Sequence, residues 1–483
     1  MRDGDQTAYR AGRLAGVAAA GLGALAQAVL AAPAWAADPT DQAYLEDPKL
    51  QEQLMDPAER SRLDLSGYTV TDPTAGFFDV GARRRWLRQA SSPMIRAEVS
   101  GLSIGMSCRS ALELPVINER FSLPGFYPQP DSWRLAAEPL FKFEDAISRL
   151  SGHYVVSGDD YYADCLSRML DRWAEGEGFL HFEYKPVSPQ AWFGVESSLF
   201  AAGFAYATVR DHVHATDPER ARRIEAWLRK ASERHISFKT TALSCCNNHF
   251  YRRALHATII GIVTDDDDLF RYGVSALYSA LHEMNPDGSL PRELMRGSRL
   301  IHYQNYAVLY LVTIMELVER QGYPIYELEV GGHTIHDAVE FDLAALEDPE
   351  GVGRRTGTIQ DLWFMEDPQY FGWMELYGNR FPSERIDRLA RTRRPIYNRS
   401  AGGFLTLYFY RPSESEERTE VASLADRSFR LDPDYCAKHP QWRDERDTAW
   451  RRFCEERLRA LAKGADAKTG IPDPELVHEG DHQ

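Results

Sequence analysis

The sequence predicts a mostly α-helical protein of stacked antiparallel helical hairpins, and three observations lead there. Apolar residues recur at three- and four-residue steps in Leu140–Val155, Tyr161–Trp173, Trp192–Val209, Pro218–His235, Phe250–Val263, Asp268–His282 and Tyr303–Gln321. Stop signals follow several of these segments, such as Asn285-Pro286-Asp287-Gly288 and Gln321-Gly322-Tyr323-Pro324. Strand-like text is sparse, its best case being FLTLYFY at Phe404–Tyr410. Short connections turn each amphipathic helix back on its predecessor, so that their apolar stripes bury one another.

The elements run in order from a segment that reads as a leader. Arg10 and Arg13 precede an apolar and small-residue run from Leu14 to Leu30, and Ala34-Trp35-Ala36 supplies a small-x-small cleavage site. Residues 1–36 therefore read as a secretory signal peptide. As a membrane anchor the run falls short of the ~20 strongly apolar residues a span needs. No later segment is apolar enough for a span, so the expectation is an exported chain, periplasmic or secreted, with no membrane insertion after cleavage. The remaining 447 of 483 residues suit one helical toroid or barrel, with the main domain expected over 37–410. From Arg411 the text changes character: SESEER, DPDYC, a charged helix Arg443–Lys463, then a tail containing Pro, Gly and His. Residues 411–483 read as a charged extension, frayed after Lys468.

Composition is that of a globular chain, with 43% hydrophobic and 11% aromatic residues. The net charge of −16 excludes a general nucleic-acid binder. An anionic ligand would need a local cationic groove set against that overall field. Six cysteines in an exported chain imply disulfides whose connectivity the spacing leaves open. No CxxC pair or spaced His/Cys set suggests a metal. Asp265–Asp268 lacks the spaced ligands of a calcium loop and suits a helix start, where acids meet the positive dipole end. His212 and His214 read as solvated residues of a polar loop after a helix. P-loop, GxSxG and HExxH motifs are absent.

Two stretches concentrate polar chemistry beside apolar helices. Residues 245–261 read CCNNHFYRRALHATIIG, and residues 291–306 read PRELMRGSRLIHYQNY. On a continuous helix Arg296 and Tyr303, seven residues apart, would share a face. Together, NNHFY and DGSLPRELMRGSRLIHYQNYA resemble the mannuronan-specific alginate lyases of polysaccharide lyase family five. That family carries an Asn-Asn-His-x-Tyr stretch and then DGxLPxEL…RG…L.YxNYAL. Cys245-Cys246 before the asparagines, the helix from Asp164-Cys165-Leu166 to MLDRWAEGEGFL, and the closing GWMELYG and RRPIYNRSAGGFLTLYF segments extend the likeness over Cys108–Phe409.

The resemblance implies an incomplete (α/α) toroid and a lyase of β-1,4-linked polymannuronate that needs no metal or organic cofactor. It also implies Cys108–Cys165 and a vicinal Cys245–Cys246 bridge, which leaves Cys436–Cys454 as the third pair. Such a lyase removes the proton at C5, beside the carboxylate, and expels the C4 oxygen. The barrier is the carbanion, because a carboxylate resists further negative charge. Asn248, His249 and Arg296 supply an amide, an imidazole and a guanidinium fork to hold that carboxylate. They stand at a helix head, where backbone amides also favour an anion. By resemblance Tyr303 both removes the C5 proton and protonates the leaving oxygen, since both lie on one face of mannuronate. Tyrosine ordinarily titrates at about 10, so cationic neighbours must help it act as a base. His249 would serve as base for substrates of the opposite C5 configuration.

Tyr251, Arg252, Arg299 and Tyr306 are further candidates for substrate contacts, and the cationic groove would draw on Arg252, Arg253, Arg296 and Arg299. Arg120, in Asn118-Glu119-Arg120-Phe121, stands where the family often has a lid lysine. The tryptophan that usually follows NNHFY is replaced by Arg252-Arg253, a change that would suit another β-linked uronan such as polyglucuronate. Two other classes remain open: an inverting hydrolase using Glu293 and Glu375 as its two acids, and a non-catalytic polysaccharide-binding protein.

Overall fold

The computed structural model describes residues 52–102, 107–126, 128–185, 189–238, 247–412, 435–443 and 448–462. The expected leader, the Cys245–Cys246 pair and the tail after Lys468 lie outside these residues. Ala37–Gln483 forms one compact unit. Its body is helical and follows the expected order: α1 (Pro130–Ser157), α2 (Asp160–Glu175), α3 (Gln190–Thr216), α4 (Pro218–Ile236), α5 (Asn248–Thr264), α6 (Asp267–Glu283), α7 (Leu300–Arg320), α8 (Ile335–Glu347) and α9 (Gly372–Arg380). These helices build the (α/α) toroid.

Caps and one- or two-residue links force the reversals. Asp159 caps α2 through Tyr161 N–H, after Gly158 has turned the chain at φ 70°. Asp217 alone separates α3 from α4 and caps the latter, with Pro218 at its first position. Between α5 and α6, Asp265 adopts φ 53° and Asp266 accepts from the N–H groups of Asp268 and Leu269. The acidic run is thus a turn and a cap. Helix α5 packs against α3, α4, α6 and α7, which makes it the central element behind the polar stretch at its head.

Several boundaries differ from expectation for identifiable reasons. Helix α1 starts ten residues before Leu140 because it tolerates Pro139 inside it. That proline deprives the Leu135 carbonyl of its helical donor, but Leu135 is 74% exposed and water can take the bond. His212 and His214 lie within the last turns of α3, where the sequence suggested a loop. His212 bonds Asp164 at 2.9 Å and His214 bonds Glu225 at 2.7 Å, so both tie α3 to neighbouring helices. The FLTLYFY run is not a strand. Only Gly403–Phe404 pairs, antiparallel to Tyr397–Asn398, and Leu405–Phe409 is a short helix. The run is buried on all sides, and an apolar stretch without periodicity fits either state.

Disulfides join Cys108 to Cys165 and Cys436 to Cys454. The first fastens the short helix Cys108–Glu113 to α2. The second staples the C-terminal extension, where a turn at Pro440–Arg443 precedes helix α10 (Thr448–Ala462). The described parts of the extension are docked on the body. Tyr435 donates to the Gln360 carbonyl at 2.8 Å, Arg457 pairs with Glu366, and Arg452 grips Asp131 with two 2.6 Å bonds. No helix among the described residues is long and apolar enough to cross a membrane.

Candidate active site

The head of α5 divides the two asparagines between two tasks. Asn247 is the cap: its side-chain oxygen accepts from His249 N–H at 3.1 Å. Asn248 faces Glu293, donating its backbone N–H at 2.6 Å and its side-chain amide at 2.8 Å to the two carboxylate oxygens. Glu293 is fully buried, and burial raises its carboxyl above the ordinary range against the pull of Arg296. The second polar stretch thereby fixes the amide of the first.

Arg296 and Tyr303 do not lie on one continuous helix. Gly297 at φ 57° opens a 3-10 turn, Gly297–Arg299, and α7 begins at Leu300. The two side chains still meet, because the Arg296 guanidinium lies over the Tyr303 ring at 4.6 Å from its centroid. On its other side Arg296 Nε is 3.6 Å from Glu293. One buried carboxylate therefore stands behind both Asn248 and Arg296. The backing continues through Gln360, which accepts from Ile301 N–H and donates to the Gly297 carbonyl.

The His249 ring stacks on Phe193, with centroids 4.0 Å apart and planes 7° from parallel. Its Nδ1 is buried with no hydrogen-bond partner among the described residues. Burial, reinforced by Arg296, Arg252 and Arg253, pushes its pKa well below the usual histidine value. His249 is therefore a neutral imidazole at pH 7, able to donate from one nitrogen and accept at the other. His302, beside Tyr303, is stacked on Phe364 and likewise kept neutral, with a pKa of about 3 from burial and Arg299.

The remaining candidates separate by burial. Tyr306 is partly exposed on the same face, its ring against Tyr310 and Tyr370. Arg252 is anchored in the wall, donating to the Phe193 carbonyl at 3.0 Å and to Ser197. Burial opposes its charge, but Tyr310, Glu196 and Tyr306 hold the proton more firmly. Arg299 stands at the N-cap position of α7 and places its charge near His302. Two expectations need correction, and a third candidate stands apart. Tyr251 is 2% exposed and lies beneath the site near Glu283 and Glu293, so it supports the floor and presents nothing to a polymer. Arg253 is 1% exposed, packed over Trp192 and 3.7 Å from Glu196, because the helical step from Arg252 turns it into the core. Arg120 is exposed, 3.8 Å from Glu183, and makes no hydrogen bond or ion pair with the Tyr303 cluster among the described residues.

Neither acid of the hydrolase alternative is presented to a cleft. Both oxygens of Glu293 are occupied by Asn248, and Glu375 is 2% exposed, held by Arg394 and Thr406. Among the described residues no group of three or more His, Cys, Asp or Glu could hold a metal ion. Glu293 as an anchor and Phe193 as the platform for His249 were not legible beforehand. The available signals were an acid inside the short PREL turn and an aromatic pair, Trp192-Phe193, at a helix head.

Known proteins resemble this chain in sequence and fold. The family model described as alginate lyase matches residues 119–352. A polysaccharide lyase of Stenotrophomonas maltophilia (strain K279a) is 30% identical over 272 residues, 56% of this chain and 79% of its own. Alginate lyase A1-III from Sphingomonas species A1 superposes with a TM-score of 0.65 at 31% identity, over 72% of this chain and 99% of its own. Two variants of alginate lyase A1-III, histidine to alanine and tyrosine to phenylalanine, each complexed with a tetrasaccharide, give TM-scores of 0.65 and 0.64 at 31% and 32% identity, over 73% of this chain and 99% of theirs. With near-complete coverage of that enzyme at this identity, the chain belongs to the alginate lyase family.

Proposed function

We propose that this polysaccharide lyase is an exported enzyme that cleaves β-1,4-linked polymannuronate through its 37–410 domain, leaving unsaturated uronate ends. The observation that carries the reading is the shared anchor Glu293, which holds Asn248 and Arg296, while the Arg296 guanidinium lies on the Tyr303 ring and helps keep His249 neutral. Spacing adds support. The histidine and tyrosine altered in the two tetrasaccharide-bound variants lie fifty-four residues apart, as do His249 and Tyr303.

In this reading Asn248, His249 and Arg296 bind the carboxylate of the sugar being cleaved. Arg296 neutralises it, and the uncharged His249 donates one hydrogen bond without a change of protonation state. As the C5–H bond breaks, charge delocalises onto the carboxylate, which these donors would stabilise. Tyr303 takes the C5 proton as its phenolate, the form that the Arg296 guanidinium on its ring favours, and becomes the neutral phenol. The C4–O bond then breaks, the C4=C5 double bond forms, and the leaving oxygen receives a proton from Tyr303. The tyrosine ends as it began, with Arg252 and Tyr306 lining the wall beside the reacting sugar.

Near-ultraviolet absorbance of the new double bond tests this directly on polymannuronate, polyguluronate and polyglucuronate. The expected result is rising absorbance, fastest on polymannuronate. Reducing ends without absorbance would indicate a hydrolase, and fastest cleavage of polyglucuronate would overturn the substrate assignment.

A further inference from the structure

The C-terminal extension carries a basic cavity that the reaction at Tyr303 does not use. Between the 3-10 turn Pro440–Arg443 and helix α10 opens a space of about 780 Å³, lined by Trp442, Arg443, Arg451, Arg452, Arg459 and two glutamates. Among the described lining residues, four arginines stand against two acids, on a chain of −16. Arg459 pairs with Glu455 and Arg452 with Asp131. Arg443 and Arg451 have no carboxylate within ion-pair distance among the described residues. The Arg443 guanidinium rests near the Trp442 ring, 5.2 Å from its centroid, and Trp442 is itself fixed by a 2.8 Å bond to the Cys436 carbonyl. The Cys436–Cys454 bridge locks this turn to α10.

The attachment points of α10 relate the cavity to the cleft. Arg457 pairs with Glu366, the last residue of the turn Trp363–Glu366, whose Trp363 ring lies 5.2 Å from that of His302, next to Tyr303. Arg452 holds Asp131 at the start of α1, a few residues beyond Phe126, whose ring faces Trp133 at 5.2 Å and Trp363 at 6.5 Å. One helix thus clamps two segments flanking the tyrosine and turns its arginine-bearing face to solvent beside them.

We infer that the extension forms a distal subsite for the same anionic polymer, gripping uronate carboxylates of a chain whose cleaved linkage lies at Tyr303. Guanidinium forks match carboxylates in pairs, and an acidic body gains most from cations placed where the polyanion must approach. The inference rests on the uronate-lyase reading above. Its consequence is chain-length selectivity: a long polymer engages cleft and extension together, a short oligomer the cleft alone.

The test is the double variant Arg443→Ala/Arg451→Ala in the full chain, which spares the clamping residues Arg452 and Arg457. Steady-state kinetics are measured on polymannuronate and on a mannuronate tetramer. The Michaelis constant for polymer is expected to rise about three- to tenfold with turnover unchanged, while tetramer kinetics stay at the wild-type level. The double lysine variant should recover most of the loss. Equal effects on both substrates would make the extension a brace and overturn the subsite, as would no effect on either. Failure of the wild type to cleave either substrate would instead overturn the lyase reading.

Discussion

Tyr303→Phe removes one phenolic oxygen and keeps the ring against which the Arg296 guanidinium rests. Binding of polymannuronate should survive, while turnover falls by ~10² to 10⁴-fold, the usual worth of a positioned acid–base group. Arg296→Ala should lower turnover and also raise the Michaelis constant, because its charge meets the carboxylate before and during reaction. Steady-state kinetics with circular dichroism as a folding control separate the two. A Tyr303→Phe enzyme with normal turnover and weaker binding would reduce Tyr303 to a wall of the cleft. Glu293 is subtler, since it is placed to act through Asn248 and Arg296. Glu293→Gln sets an amide N–H against donors of Asn248 that now meet carboxylate oxygens at 2.6 and 2.8 Å. A buried donor left unsatisfied costs ~1–3 kcal/mol, so kcat/KM should fall roughly 5- to 150-fold. Glu293→Asp, which restores the charge on a shorter arm, should recover part of it; equal losses in both variants would point to general packing damage. The sequence marked out the candidate side chains because their types are unusual at a helix head. It hid Glu293 and Phe193 because an anchor is defined by what it touches across the fold.

At the scale of elements, α5 and α6 approach so closely that two glycines become obligatory. A Cβ at Gly273 would lie 1.8 Å from Thr258 Oγ1, and one at Gly261 would lie 2.6 Å from the Phe270 backbone nitrogen. Thr258 cannot yield easily, because its hydroxyl donates to the Ala254 carbonyl inside α5. Gly273→Ala should therefore destabilise by ~1–3 kcal/mol despite alanine's better helix propensity, and denaturant unfolding reads the loss. An unchanged midpoint would mean that the two helices slide apart freely. Because α5 also carries Asn248 and His249 at its head, the same variant should lose activity faster on warming. Helix order was legible from periodicity, and most boundaries fell within a few residues. The failures share a physical basis. Pro139, the His212 turn and FLTLYFY were each read by local propensity, and in each the tertiary surroundings supply what the local sequence lacks: solvent for a freed carbonyl, carboxylate partners for two histidines, and burial on every side for an apolar run.

Across the whole molecule, buried titratable groups set opposing slopes of stability with pH. His235, His249, His256 and His302 are held below the usual histidine value chiefly by burial, the last two at about 3. Their contribution is present above about 6.5 and is lost as pH falls toward their folded values, because only the unfolded chain takes up those protons. Glu144 and Glu196 are raised to about 7 by burial, and Asp342 is pushed well above its ordinary range by the same cause. Their contribution is complete below about 4 and is lost as pH rises through their folded values, since the unfolded chain ionises first. The two sets offset one another between roughly pH 4.5 and 6.5, so the melting temperature should be nearly flat there and fall on both sides. Asp342 isolates the alkaline arm. It is fully buried, and neither carboxylate oxygen has a hydrogen-bond partner among the described residues. Asp342→Asn keeps the shape and abolishes the ionisation. Whatever the new amide costs is the same at every pH, whereas the relief from ionisation exists only where the unfolded aspartate is charged. The variant should therefore gain stability relative to wild type between pH 5 and pH 8, measured as the change in its stability difference from denaturant midpoints. A difference that is constant over that range would show that Asp342 ionises in the folded protein as readily as in the unfolded chain, and that another group sets the alkaline slope.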